Sequence, residues 1–232
     1  MGANAQTAVP AFTAGQVLTA AQMTEVNTGI PVFATTTTRD AAFSGTGEKV
    51  LAEGQFAYIE ATNTTQFYDG AAWLALGGKI AQVISTTKTD TYSMSSQTYT
   101  TVTGLTATIT PTSSSSTIYI VGSLSGVGDS GTSRGMARLV RDSTGIAQGD
   151  AAGSRVSGTV QLPIISAATA DIFSQTLTFL DSPASTSALV YGIQIRINDA
   201  PSTIYVNRSK SDGNTTSDAR VVSSITVMEV LA

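Results

Sequence analysis

The chain has 232 residues, long enough for one large β domain or for a core domain with a smaller unit attached. Only 12% of them are charged against 41% hydrophobic, and 12 Lys plus Arg face 16 Asp plus Glu, so the net charge of −4 offers no cationic excess to nucleic acid. Cysteine and histidine are both absent, which excludes disulfides, thiolate chemistry, Cys- or His-ligated metals and the commonest general base near neutral pH.

Residues 1–10 lack the basic and apolar regions of a secretion signal, and no apolar run approaches the ~18 residues of a membrane span. The chain is therefore read as made in a cytoplasm, with no membrane partner. The one convincing helix is expected over 20–28. Thr19 caps it, Gln22 completes a T-x-x-Q capping box, Leu18 and Met23 form a hydrophobic staple, and Gly29 before Ile30-Pro31 ends it. So short a helix is not stable alone. Its apolar residues Leu18, Met23 and Val26 need a surface, either the chain's own next segment or a partner subunit.

Residues 33–76 change to short β pieces, over 55–60 and 66–68 on either side of Asn63-Thr64, with an Asp69-Gly70 turn before Trp73. This predicts a small hairpin module. Trp73 joins Leu18, Met23 and Val26 as the candidate partner-binding set, because large amphipathic side chains populate interface cores. Gly77-Gly78 marks a boundary between an N-terminal region over 1–76 and a second domain over 79–232.

In the second domain Leu105, Ala107 and Ile109 alternate with Thr106, Thr108 and Thr110, the period of a half-buried strand. Pro111 and the serines of 113–116 end it. Further strands are expected over 117–122, 136–141, 176–180, 189–197, 203–206 and 224–230. The clearest sets Tyr191, Ile193, Ile195 and Ile197 against Gly192, Gln194 and Arg196. Short strands separated by Ser-Pro, Asn-Asp-Ala-Pro and Ser-Asp-Gly-Asn turns predict an all-β fold. The expected architecture is an antiparallel, jelly-roll-like β-sandwich behind an N-terminal region with one short helix and a β-hairpin.

Motifs that could carry chemistry fail on context. Gly131-Thr132-Ser133-Arg134-Gly135 spells a nucleophile elbow, but that motif needs a helix after it and a histidine to take the proton. The G-x-G-x-x-G of residues 126–131 is followed by strand alternation instead of a helix, so a flexible loop between strands is expected. Glu53, Glu60, Asp129, Asp150, Asp171, Asp181 and Glu229 show no pairing suited to glycoside hydrolysis and read as solvated surface acids. Asp212-Gly213-Asn214, with Asp218 nearby, lacks the spacing of a calcium loop and reads as a turn. No catalytic residue, cofactor or metal is expected.

The residues Phe12-Thr13-Ala14-Gly15-Gln16-Val17-Leu18-Thr19-Ala20-Ala21-Gln22-Met23, with Phe33-Ala34-Thr35, Arg39-Asp40-Ala41-Ala42 and Tyr68-Asp69-Gly70-Ala71-Ala72-Trp73, resemble the N-terminal region of many bacteriophage virion proteins. That group includes tail fibres, minor tail proteins and head decorations. Asp181-Ser182-Pro183-Ala184, Tyr205-Val206-Asn207-Arg208-Ser209 and the closing residues 224–230 resemble C-terminal domains of phage fibre and head-spike proteins, cyanophage ones included. The resemblance implies a jelly-roll homotrimer in the virion and carries over no catalytic residue.

The expected function is a non-enzymatic virion structural protein. One form is a homotrimeric capsid decoration, or cement, protein or spike bound to the phage major capsid protein. The alternative is a tail or head fibre that contacts tail proteins or host surface glycans. The absence of an internal repeat or heptad run favours a compact unit over a long stalk. Region 1–76 is expected to attach to the particle, and region 79–232 to trimerise and project.

Overall fold

The alternating segments become two separate β units, Met1–Gly78 and Lys79–Ala232, in the computed structural model. It describes residues 9, 12–20, 23, 29–43, 49–128, 134–163 and 170–232.

In the first unit a small sheet has the order β1-β2-β3-β4, formed by β1 (Val32–Phe33), β2 (Phe56–Ile59), β3 (Thr64–Tyr68) and β4 (Trp73–Ala75). β1 lies parallel to β2, and the other pairs are antiparallel. Between β2 and β3 a 3-10 turn ends on Asn63 at φ 50°, a left-handed position that asparagine tolerates well. Asp69 Oδ1 accepts from the backbone N–H groups of Ala71 and Ala72, which fixes the turn before β4. The expected hairpin module therefore forms.

A second short helix, α1 (Thr36–Ala41), lies where β structure was expected. Its three consecutive threonines are poor helix formers, but the N-cap Thr35 and Thr38 cap each other's backbone N–H and offset that preference. The expected helix over 20–28 is seen at Ala20 and Met23, with Met23 N–H donating to the Thr19 carbonyl. Gln22 and Val26 lie outside the described residues.

The second unit is a two-sheet sandwich. Its strands are β5 (Ile80–Lys88), β6 (Tyr92–Met94), β7 (Thr100–Ile109), β8 (Thr117–Gly128), β9 (Gly135–Arg141), β10 (Thr144–Ile146), β11 (Val160–Leu162), β12 (Phe173–Asp181), β13 (Leu189–Ile197), β14 (Ile204–Val206) and β15 (Ser223–Val230). Several are halves of one broken strand. β15 and then β14 lie along the same side of β8, and β5 and β6 lie in turn beyond them. Likewise β10 and β11 share one side of β9. Sheet I thus reads β5/β6, β14/β15, β8, β12, and sheet II reads β7, β13, β9, β10/β11. Numbered along the chain, those positions are 1-8-3-6 and 2-7-4-5, the interleaving of an eight-stranded jelly roll.

Residues of both sheets share one core. The alternation of β13 is realised in full, since Tyr191, Ile193, Ile195 and Ile197 are all buried, as are Leu105, Ala107 and Ile109 of β7. One feature departs from the sequence reading. Gly126 to Gly128 belong to β8, not to a loop, while residues 129–133 lie outside the described set. A Cβ on Gly126 would stand 2.5 Å from the Tyr205 carbonyl oxygen, so this glycine is set by close strand approach.

The broken rows meet at Asn207. This residue is wholly buried at φ 61°, between the end of β14 and the excursion 208–222 that leads to β15. Its Nδ2 donates to the carbonyls of Lys88 (2.8 Å) and Asp90 (2.9 Å), where β5 breaks before β6. Its backbone N–H donates to Ser125 O, its carbonyl accepts from Val221, and its Oδ1 accepts from Ser223 Oγ at 2.7 Å. Ser223 Oγ in turn accepts from Ser125 N–H. One side chain thereby satisfies backbone groups that two strand breaks would leave bare. Asn207→Asp turns the donating amide into an acceptor facing two carbonyls. It should lower stability by about 2 kcal/mol or more, and Gly126→Ala by about 1–3 kcal/mol. Urea midpoints of the full chain measure both, and an unchanged midpoint for Asn207→Asp would contradict the assignment.

Candidate functional site

In the first unit, strand alternation gives the small sheet two faces. Ala57, Ile59 and Phe33 point to a core that also holds Ala42, Phe43 and Val9. Trp73 lies on this inner side, half-buried, 5.8 Å from Phe43 and 5.6 Å from Tyr68 between ring centroids. The Arg39 guanidinium of α1 stacks over it at 4.6 Å. Only 6% exposed, Arg39 donates to Asp40 Oδ1 and to Gln66 Oε1, and with Trp73, Tyr68 and Asp40 it lines a pocket of about 580 Å³. The indole Nε1 is buried without a partner.

The opposite face presents the cross-strand row Phe56, Phe67 and Leu74, with Phe56 and Leu74 exposed and Phe67 half-buried. Leu76 is exposed just beyond it. This apolar face was not singled out from sequence. The alternation of Phe56 and Tyr58 with Ala57 and Ile59 offers two apolar sides, and nothing local says that the smaller pair is buried. Of the candidate partner-binding residues, Trp73 packs within the module, Leu18 is half-buried, Met23 is 53% exposed, and Val26 lies outside the described residues.

In the second unit the outer face of sheet I is built from cross-strand rows. Thr87, Ser224, Ser123 and Thr176 form one, Ser85, Thr226, Val121 and Thr178 the next, and Val83, Met228, Tyr119 and Leu180 the third. None of these side chains carries a charge. The third row is entirely apolar or aromatic, with Val83 54% and Leu180 53% exposed, and exposed Ile80 adjoins it.

The adjacent inward row reads Gln82, Glu229, Ile118, Asp181. Both carboxylates are buried, which corrects the expectation of solvated surface acids. Glu229 accepts from Gln82 Nε2, Thr112 N–H and Thr112 Oγ1, each at 2.7 Å. Burial raises its pKa, but hydrogen bonds from Gln82 and Thr112 outweigh burial and hold it at about 2. Asp181 accepts from Arg141 Nη1 at 2.6 Å and from the buried Tyr191 hydroxyl at 2.7 Å, so it joins sheet I to sheet II. Burial, reinforced by Asp181, pushes the Tyr191 phenol well above its ordinary value. Each carboxylate is committed to local donors.

The excursion after Asn207 is closed by charge. Asp212 pairs with Arg208 and Arg220, and Asp218 accepts from the hydroxyls of Ser209, Ser211 and Thr215, which hold its carboxyl at about 2. This is the expected turn, and no cluster of acids among the described residues is arranged to hold a metal.

No protein-family model and no curated protein matches the chain. Among solved structures it is similar to one of the infectious bursal disease virus Gx strain, with TM-score 0.36 and 13% identity over 72% of this chain and 43% of that one. A crystal structure of the infectious bursal disease virus VP2 subviral particle gives TM-score 0.32 and 13% identity over 77% and 43%. The chain spans less than half the length of either. Overlays at these scores define neither a shared fold nor a shared role.

Folding favours the ionised form of Glu229, because its carboxyl lies below the ordinary 4.5. Its contribution is complete above about pH 4.5 and is lost as pH falls toward about 2. Glu229→Gln should cost about 1–3 kcal/mol at neutral pH. The gap from wild type should narrow through that acid window, as followed by urea midpoints, and a gap independent of pH would contradict it.

Proposed function

We propose that this chain is a non-enzymatic structural protein of a bacteriophage particle, a homotrimer that binds the head as a decoration, or cement, protein or spike. The observation that carries the reading is the jelly-roll unit whose sheet I carries three uncharged outward rows, the last of them apolar. Copies with a net charge of −4 repel unless they meet through neutral surface, and burying Thr, Ser and aliphatic groups desolvates no ion. Jelly rolls are common in viral capsid and lectin domains, an analogy of fold alone. Trimeric stoichiometry and phage origin follow the sequence resemblance.

The first unit supplies the attachment surface in this reading. Phe56, Phe67 and Leu74 form an apolar row suited to the core of an interface, and Leu76 extends it. Burial of such area contributes roughly 25 cal/mol per Å² before ordering costs. The partner is the major capsid protein.

Two variants of the full chain separate these roles. Leu180→Asp should convert a trimer into a monomer in micromolar sedimentation runs with an unchanged far-UV spectrum. Phe56→Ser with Leu74→Ser should leave the trimer intact and abolish binding to phage heads stripped of the protein. A monomeric wild-type chain would overturn the first assignment, full head binding by the double variant the second, and binding only at tails would move the protein to the fibre class. Incubated with host-type glycans, the protein should release no reducing ends. Turnover lost on replacing one carboxylate would refute the non-enzymatic reading.

A further inference from the structure

The arginines divide into two groups. Arg39 pairs with Asp40, Arg141 with Asp181, and Arg208 and Arg220 with Asp212. Among the described residues, Arg134, Arg138, Arg155 and Arg196 have no carboxylate at ion-pair distance. The sheet positions place these four together. Arg138 and Arg196 project from the outer face of sheet II, Arg134 immediately precedes β9, and Arg155 lies in the excursion between β10 and β11. In a chain that is acidic as a whole, the arginines without an acid partner therefore gather on one face of the second unit.

That face also contains a pocket of about 580 Å³, of a size to take a small ligand. Arg155, Arg196, Gln161, Asn198, Asp199 and Ser154 contribute its polar lining. Arg138 is held in place alongside, stacked 4.0 Å from the Tyr99 ring and donating to Gln194 and Gln148. Tyr99 is itself anchored, since its hydroxyl donates to the Ser157 carbonyl at 2.7 Å and thereby ties the excursion to the sheet. Arg196 donates through Nε to the Ile197 carbonyl and lies 5.8 Å from the Tyr99 ring, and among the described residues its terminal nitrogens have no hydrogen-bond acceptor. The Asn198 Oδ1 is buried and also lacks a partner.

We infer that this pocket binds an acidic saccharide, a sugar that carries a carboxylate among its hydroxyls. The guanidinium groups of Arg155 and Arg196 match a carboxylate in charge and in planar donor geometry. The amide of Gln161 and the hydroxyl of Ser154 offer partners for the sugar hydroxyls. A simple inorganic anion would satisfy the arginines but leave the amide and hydroxyl groups of the lining unused. The site uses neither the uncharged rows of sheet I nor the first unit, so it holds for a monomer or a trimer, on a particle or free.

Isothermal titration of the full chain with a galacturonic acid tetramer, a neutral galactose tetramer and sodium sulfate at about 0.15 M salt tests this. The uronate tetramer should bind with a dissociation constant of about 1 mM or tighter, and the neutral tetramer and sulfate at least about tenfold more weakly. Arg196→Gln and Arg155→Gln should each weaken uronate binding about tenfold or more, whereas Arg220→Gln, in the other excursion, should not. Arg155 lies on an exposed loop, so its replacement leaves the sheets intact. Equal binding of sulfate and uronate, equal binding of both tetramers, indifference to the two replacements, or no uronate binding would each overturn the proposal.

Discussion

The second unit depends on how it satisfies the backbone where its strands break. A jelly roll interleaves strands from distant parts of the chain, and here three of its eight positions are filled by two short strands in place of one long one. Each break exposes carbonyl and amide groups beside a buried core, where an unpaired group costs more than a typical hydrogen bond returns. Asn207 meets this constraint at the two adjacent breaks of sheet I, with all of its polar groups engaged. Its left-handed backbone turns the chain out into the excursion, and its side chain reaches back to close the gap. Asparagine suits both tasks, being tolerant of that conformation and carrying donor and acceptor together.

Charge is distributed by the same economy. With few ionisable residues available, the fold places Asp181 and Glu229 at one level of sheet I, with Ile118 between them, and surrounds each with donors. Four arginines are neutralised by nearby acids, and the outer rows of sheet I hold none. Sheet II receives the remainder. The two broad faces of one sandwich are therefore chemically unlike: sheet I carries three uncharged, partly apolar rows beside the paired Arg208 and Asp212, and sheet II is cationic and rich in amides.

Much of this was legible in the sequence where side-chain period and burial agree. β13 and the second half of β7 carry strong aliphatic alternation and were readable almost residue by residue, whereas residues 100–104 of β7, across a register shift opposite Gly192 and Gln194, were not. β5, β6, β10 and β11 were missed because they are short or carry Ser, Thr and Gly, whose strand role is set by neighbours and not by local preference. α1 was missed because its stability comes from reciprocal threonine caps. The apolar face of the first unit was hidden for another reason: Phe56 is larger than Ala57, yet Val9, Ala42 and Phe43 share a core with Ala57 and bury that side of the sheet. The burial of Asp181 and Glu229 was also invisible, since their partners lie from 10 to 147 positions away along the chain.

The paired excursions have a consequence for how such a protein can change. Residues 147–159 and 208–222 each leave one strand row and return to the same row, so their ends are fixed by the sheet whatever lies between. Lengthening a loop whose ends are already held costs only about 0.6 kcal/mol for each doubling. The two segments are thus replaceable cassettes on a fixed frame. Lineages facing new surroundings can rewrite them in length and chemistry while Asn207 and the aliphatic core of β7 and β13 stay the same.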